Sequence, residues 1–300
     1  MTLTEARRKF IGHCESAVNL SRHTLRAYGG DLNDALQYLG RRELALVCKD
    51  DLRRYVRHLR EHRGLKETTI KRRLATLKLL FRWARQEEIV EVNPFDSLNE
   101  RIRLPRRLPR ALDRADRGML RQALAVRPRV DTFSEVRAKA AIHLLLDTGI
   151  RVGELAAILL SDISLASGHL VIHGKGNRQR LVYLLQPPLR RTMERYLALR
   201  QAVSTPAEQL FVTGNGGAVT PSRVRAELRA LAQGAGIARH VTPHMLRHTC
   251  ATQWLEAGLD IRHVQKLLGH QSISTTEIYT HVSDVGLREA LGRAAGGLGR

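Results

Sequence analysis

The sequence predicts a mainly α protein in two parts: an all-helical first domain, then a mixed α+β domain in which helices surround a small antiparallel sheet. Three observations carry this. Through the first hundred residues, apolar side chains recur every three or four positions, the period of helices with one buried face. Between Asp162 and Leu184 that period gives way to short runs rich in β-branched residues, bounded by glycine turns. Between the two regimes, Arg101 to Arg114 holds six Arg, two Pro and one acid. Pro105 and Pro109 disfavour a continuous helix there. The expected divisions are a helical domain at 1–98, a basic linker at 99–114 and a second domain at 115–300, sizes ordinary for domains.

In the first domain, Leu25, Tyr28, Leu32, Leu36 and Leu39 mark one helix. Asp50 is expected to cap a second carrying Leu52, Val56 and Leu59. Ile70, Leu74, Leu77, Phe81 and Ala84 mark a third, ending before Asn93-Pro94. Lys66, Lys71, Arg72, Arg73, Lys78 and Arg82 are interleaved with it, as a solvated face or one that follows a nucleic-acid backbone. In the second domain, Ser134 or Glu135 opens an apolar helix through Leu146 that Gly149 stops, and a short helix runs from Val152 to Ile158. Strand signals follow at Asp162 to Leu165, Leu170 to His173 and Arg180 to Leu184, with Gly174-Lys175-Gly176-Asn177 as the turn between the last two. Helices resume at Pro188, Thr220-Pro221 and Thr242-Pro243, the last two with a capping Thr and Pro at the first helical position. Asp260 caps another that ends at Gly269, and short helical segments at Thr275 to Tyr279 and Asp284 to Ala295 complete the chain.

The formal net charge is +21, and the pI is near 11.0. A chain this basic calls for a polyanion, and nucleic acid is the natural one, through phosphate contacts and counterion release. A membrane surface would also attract it, but no long uncharged apolar run is present. Of the 50 basic residues 42 are Arg, the better bidentate phosphate ligand. Cys14, Cys48 and Cys250 are far apart and form no CxxC pair. The opening segment lacks an apolar signal-peptide core, so a cytoplasmic protein with reduced thiols is expected.

Three segments place polar groups where a plain core needs none. In Thr148-Gly149-Ile150-Arg151-Val152-Gly153-Glu154-Leu155, an Arg held at a tight turn can aim its fork at a phosphate, with Glu154 to orient it. The plainer reading is a surface ion pair. In Thr242-Pro243-His244-Met245-Leu246-Arg247-His248, His244 and Arg247 share one face near the positive end of a helix, a good anion site. His248 stands four residues after His244, the spacing of a zinc pair. No Glu follows His244 in an H-E-x-x-H pattern and no third ligand is evident, so neither metal nor cofactor is expected. In the third segment, Gly269 leaves His270 at a helix edge and Tyr279 follows nine residues later. A lone Tyr usually packs, as Tyr28, Tyr38, Tyr183 and Tyr196 are placed to do; only Tyr279 closely follows a Gly-His turn.

Together these segments resemble the motifs of the tyrosine recombinase (phage-integrase-like) family, most nearly its Xer-type members. That family carries an Arg in T-G-x-R-x-x-E-L, a Lys on a β-hairpin, H-x-x-R, L-G-H and a nucleophilic Tyr. Arg151, Lys175, His244 with Arg247, His270 and Tyr279 match them in order over about 130 residues, a far sharper signal than any single motif. The first domain is compatible but carries no sharp motif. The resemblance implies a DNA-clamping helical domain and a catalytic domain that breaks and rejoins DNA strands without metal or ATP. Tyr279 attacks a backbone phosphorus, giving a 3′-phosphotyrosyl bond and then a Holliday junction. Arg151, Arg247 and His270 hold the non-bridging oxygens, Lys175 protonates the departing 5′ oxygen, and His244 assists proton transfer or phosphate binding. It also implies specific recombination sites on double-stranded DNA, a nucleoid-associated location, and a tetramer on two sites or a paired recombinase.

Two features depart from the pattern. The tail from Gly292 is Gly-rich, which weakens a terminal helix for docking on a neighbouring protomer through Leu287, Ala290, Leu291 and Ala294. Tyr183 stands where Xer-type members carry Pro. The competing readings are a mobile-element integrase or resolvase with the same chemistry, a type IB topoisomerase-like enzyme, and a DNA-binding regulator without catalysis. The presence of all six residues argues against the last.

Overall fold

A computed structural model describes residues 1–18, 20, 22–40, 42–98, 111–126, 132–174 and 179–269. The chain divides into two compact units, Met1–Arg106 and Arg107–Arg300.

The first unit is all helix among its described residues. Helix α1 (Leu3–Ser16) starts at a capping box in which the Glu5 amide donates to Thr2 Oγ1 and the Thr2 amide donates to the Glu5 carboxylate. Helix α2 (Arg22–Leu39) follows. Helix α3 (Lys49–Arg57) runs into a π-helical turn (His58–His62), and α4 (Glu67–Gln86) closes the unit. Helices α1, α2 and α4 pack on one another. The apolar stripe of α4 is buried throughout and meets Leu32, Ala35 and Leu39 of α2 and Phe10 of α1 in one core. Asp50 does not cap α3. The helix begins two residues earlier than that cap implies, with Cys48 in the capping position, and the buried Asp51 accepts the Cys48 amide at 3.1 Å. Desolvation opposes the charge of Asp51, but that amide and Arg54 outweigh it and hold its pKa at about 2. The basic face of α4 is also divided. Arg72 pairs with Asp31 and Arg73 with Asp34, both on α2, whereas Lys66, Lys71, Lys78 and Arg82 are exposed.

In the second unit the basic stretch ends sooner than the sequence suggests. Its residues 99–110 lie outside the described residues, but Leu112 is already buried and donates its amide to Thr249 Oγ1 at 2.8 Å. Asp113 caps helix α5 (Arg114–Ala125), for which the sequence reading named no helix. Helix α6 (Phe133–Thr148) opens at Thr132, slightly before the expected start, and is buried on nearly every side. Helix α7 (Val152–Ala157) leads into an antiparallel sheet of β1 (Ile163–Ser164), β2 (His169–His173) and β3 (Gln179–Tyr183), ordered β1-β2-β3. Leu170 lies opposite Val182 and Ile172 opposite Arg180. Then come α8 (Pro187–Arg200), α9 (Pro221–Gly234), α10 (Pro243–Glu256) and α11 (Ile261–Leu268).

Helix α6 forms the axis of this unit, contacting α8, α9 and α10. The loop after α8 is tied down by polar groups from α8 itself: the Tyr196 hydroxyl and Arg200 Nε both donate to the Leu210 carbonyl. Among the described residues no helix is long and apolar enough to cross a membrane.

Phe81 is fully buried in the core of the first unit. Phe81→Ala is expected to cost about 3–5 kcal/mol through lost burial and the cavity left behind. Urea unfolding of the full chain, followed by Trp83 fluorescence in a Trp254→Phe background, checks this; a loss below about 1 kcal/mol contradicts the packing described.

Candidate active site

Two glycines set the site. Gly149 ends α6 in the left-handed conformation (φ 61°), and Gly269 ends α11 in the same way (φ 67°). A Cβ on Gly149 would lie 2.9 Å from Leu268 Cδ2 and 3.3 Å from Cys250 Sγ. The absence of a side chain therefore lets the end of α6, the end of α11 and the middle of α10 close on one another.

From Gly149 the chain turns through the buried Ile150 to Arg151, the capping residue of α7. The Arg151 amide donates to Glu154 Oε2 at 2.8 Å and its Nη1 to Oε1 at 2.9 Å, so the plain ion pair is real. Its Nη2 also reaches the Gly269 carbonyl at 3.3 Å. Thr242 caps α10 with Pro243 at the first helical position, which places His244 in the first turn and Arg247 on the inward face one turn later. Arg247 is only 2% exposed. It donates from Nη1 to the Gly149 carbonyl and from Nη2 to the Leu268 carbonyl, each at 2.7 Å.

A third arginine completes the arrangement. Arg180 on β3 donates from Nε to the Leu267 carbonyl at 2.8 Å and binds Glu154 with both terminal nitrogens, Nη1 and Nη2, at 3.0 and 2.8 Å. Burial raises the pKa of Glu154, but the bonds from Arg180 and the Arg151 amide outweigh it and keep the carboxyl below its ordinary value.

Arg151, His244 and Arg247 line one cleft of about 340 Å³, together with Arg225, Arg229 and His240. No acid is among its lining residues. Such a pocket binds an anion, and its forked guanidiniums suit phosphate oxygens. His244 is exposed at its mouth; partial desolvation, then the charges of Arg247 and Arg151, lower its pKa. His248 packs edge-on against His244 with ring centroids 5.0 Å apart. Desolvation, then His244 and Arg247, push its pKa down to about 4. Among the described residues no group of three or more His, Cys, Asp or Glu could hold a metal ion.

Of the six residues singled out by sequence, the structure brings Arg151, His244 and Arg247 together. Lys175, His270 and Tyr279 lie outside the described residues, as does the tail. Three further arginines were missed. Arg225 and Arg229 are spaced i and i+4 on α9, which is a weak signal in a chain so rich in Arg. Arg180 had a sharper one: alternation in β3 turns it to the face of the buried Val182 while Leu181 and Tyr183 are exposed, the reverse of the usual pattern.

The depressed pKa of His248 has a consequence for stability. Below about pH 6.5 the unfolded chain takes up a proton that the folded histidine refuses until about pH 4, so stability falls as pH drops through that window. The urea midpoint of the second unit is expected to be lower at about pH 5 than at about pH 7, and His248→Gln should shrink the difference. Equal differences in both proteins would show that His248 is not the cause.

The chain matches known proteins over most of its length. Residues 121–285 match the model of the phage integrase family, and residues 8–88 match the phage integrase N-terminal SAM-like domain. The chain is 33% identical to "Tyrosine recombinase XerC" of Thermodesulfovibrio yellowstonii, covering 91% of this chain and 90% of that one. It is 35% identical to "Tyrosine recombinase XerD" of Halalkalibacterium halodurans, covering 90% of each. A crystal structure of XerH site-specific recombinase bound to palindromic difH substrate shares the fold, with a TM-score of 0.78 at 22% identity over 95% of this chain and 84% of that one. An ordered motif set, a basic cleft where three of its members meet, and a family match spanning more than half the sequence lead to one conclusion: the chain belongs to the phage integrase family, as a site-specific tyrosine recombinase of the Xer type.

Proposed function

We infer that the basic cleft holds the DNA phosphate at which a strand is cut, with Arg151 and Arg247 on its non-bridging oxygens and Tyr279 as the nucleophile. The observation that carries this is the meeting of Arg151, His244 and Arg247 in one cleft free of acids, although Gly149 and Arg247 stand 98 residues apart in sequence. Attack by a phenol creates a five-coordinate phosphorus with extra negative charge, and fixed guanidiniums stabilise that charge more than they stabilise the ground state. A phenol loses its proton only near pH 10 when free, so attack must be coupled to proton removal. His244, with its pKa lowered, is neutral near pH 7 and suited to accept that proton or to hydrogen-bond the phosphate.

Lys175 and His270 complete the set: Lys175 protonates the departing 5′ oxygen, and His270 adds a donor to the phosphate. The covalent 3′-phosphotyrosyl bond conserves the energy of the phosphodiester, so rejoining needs no ATP. Guanidiniums do the charge stabilisation that metal ions perform in many nucleases. The helical first domain, 1–98, and the catalytic domain, whose core begins at Leu112, both bind the duplex. Four protomers on two double-stranded sites, alike or paired with a second recombinase, exchange strands through a Holliday junction. The enzyme acts in the cytoplasm, associated with the nucleoid.

Tyr279→Phe tests the nucleophile. Incubated with nicked genomic fragments, the wild-type chain is expected to form a covalent protein–DNA adduct, whereas the Phe variant forms none and still retards DNA on a gel. An adduct from the Phe variant would assign the nucleophile elsewhere. Excess EDTA is expected to leave adduct formation unchanged; its abolition would contradict metal-free catalysis.

A further inference from the structure

We propose that Arg180 is a positioning residue that neutralises Glu154 and so leaves the charge of Arg151 free to act on the DNA phosphate; this rests on Arg151 being a phosphate ligand, as argued above. Glu154 is needed where it stands, because its carboxylate accepts the Arg151 amide and caps α7. That need creates a difficulty. Its side chain is only 9% exposed, so its negative charge is poorly screened and bears directly on the one cation it also orients. Arg151 and Glu154 alone sum to zero. With Arg180, the cluster carries a net +1.

The geometry supports this division of labour. Arg180 takes both Glu154 oxygens end-on through Nη1 and Nη2, a bidentate charge-assisted pairing, and is itself only 12% exposed. Arg151 has one nitrogen on Glu154 and is 47% exposed, open to a ligand. Arg180 is held in place by the Leu267 carbonyl, and its guanidinium lies within 3.0–3.3 Å of where a Cβ on Gly269 would stand. It occupies an inward strand position opposite the buried Ile172, where an apolar residue would serve packing better. Arg180 follows Lys175 by five residues in sequence.

A double-mutant cycle separates charge balance from simple support. The probe is a nicked duplex whose sequence comes from adducts trapped by the wild-type chain on nicked genomic fragments. The readouts are the single-turnover rate of covalent adduct formation at saturating protein and the affinity of binding. R180Q is expected to slow adduct formation at least about 30-fold with binding changed less than about threefold, because the loss falls on the transition state. In an E154Q background the same R180Q change is expected to cost less than about threefold, since no negative charge is left to offset. R180K, which keeps the charge, is expected to stay within about tenfold of wild type. An R180Q rate near wild type, or an equal loss with and without E154Q, overturns the proposal. Should R180Q fail to fold, a loss above about 100-fold in folded R180K overturns it as well. Adducts formed by the wild type and not by Tyr279→Phe keep the reading of the site standing whichever way the cycle falls; no adduct from the wild type would end both.

Discussion

The second unit depends on how one helix end is satisfied. The last carbonyls of any helix lack partners within it and carry the negative end of its dipole. At the end of α11, three consecutive carbonyls, Leu267, Leu268 and Gly269, are each taken by a different arginine: Arg180 from β3, Arg247 from α10 and Arg151 from the turn before α7. Three separate stretches of chain are thereby brought into register at one point. Charged donors on carbonyls contribute about 1.5–3 kcal/mol each when buried, and losing one strands an acceptor as well. A carbonyl, unlike a carboxylate, takes the hydrogen bond without cancelling the charge. The bonds that build this junction therefore also leave positive charge at the cleft.

The rest of the unit delivers those segments to the junction. Helix α6, wrapped by α8, α9 and α10, ends at Gly149, whose carbonyl receives the other arm of Arg247. Arg247 thus ties the ends of α6 and α11 to the first turns of α10 with one buried fork. A lysine would have to serve both carbonyls from a single nitrogen, whereas the guanidinium gives each its own donor atom in a fixed fork.

Much of this was legible in sequence wherever a period or a punctuating residue spoke. The stripes of α2 and α4, the three strands, the Thr-Pro starts of α9 and α10 and the glycine stops after α6 and α11 all follow from spacing and backbone preference. Arg151, His244 and Arg247 were legible as members of an ordered motif set. What stayed hidden depends on tertiary partners. Asp51 rather than Asp50 receives the Cys48 amide, because only its side chain folds back on the cap. Arg72 and Arg73 looked like neighbours of Lys71 and Lys78, but Asp31 and Asp34 on another helix claim them. Helix α5 was obscured because its basic first turn continues the arginine run before it. Arg180 read as one more arginine in an arginine-rich chain; only its inward direction on the strand separates it.

The choice of arginine over histidine or lysine at the junction also shapes how the cleft meets acid and base. A guanidinium does not give up its proton at any pH a folded protein survives. His244 and His248 are biased to their neutral forms, and Glu154 to its ionised form. From neutrality upward, Arg151, Arg247, His244, His248 and Glu154 therefore keep fixed charge states. In the proposed mechanism, a pH dependence of strand cutting in that range therefore comes from groups other than these five, the attacking phenol and the acid serving the leaving oxygen foremost among them.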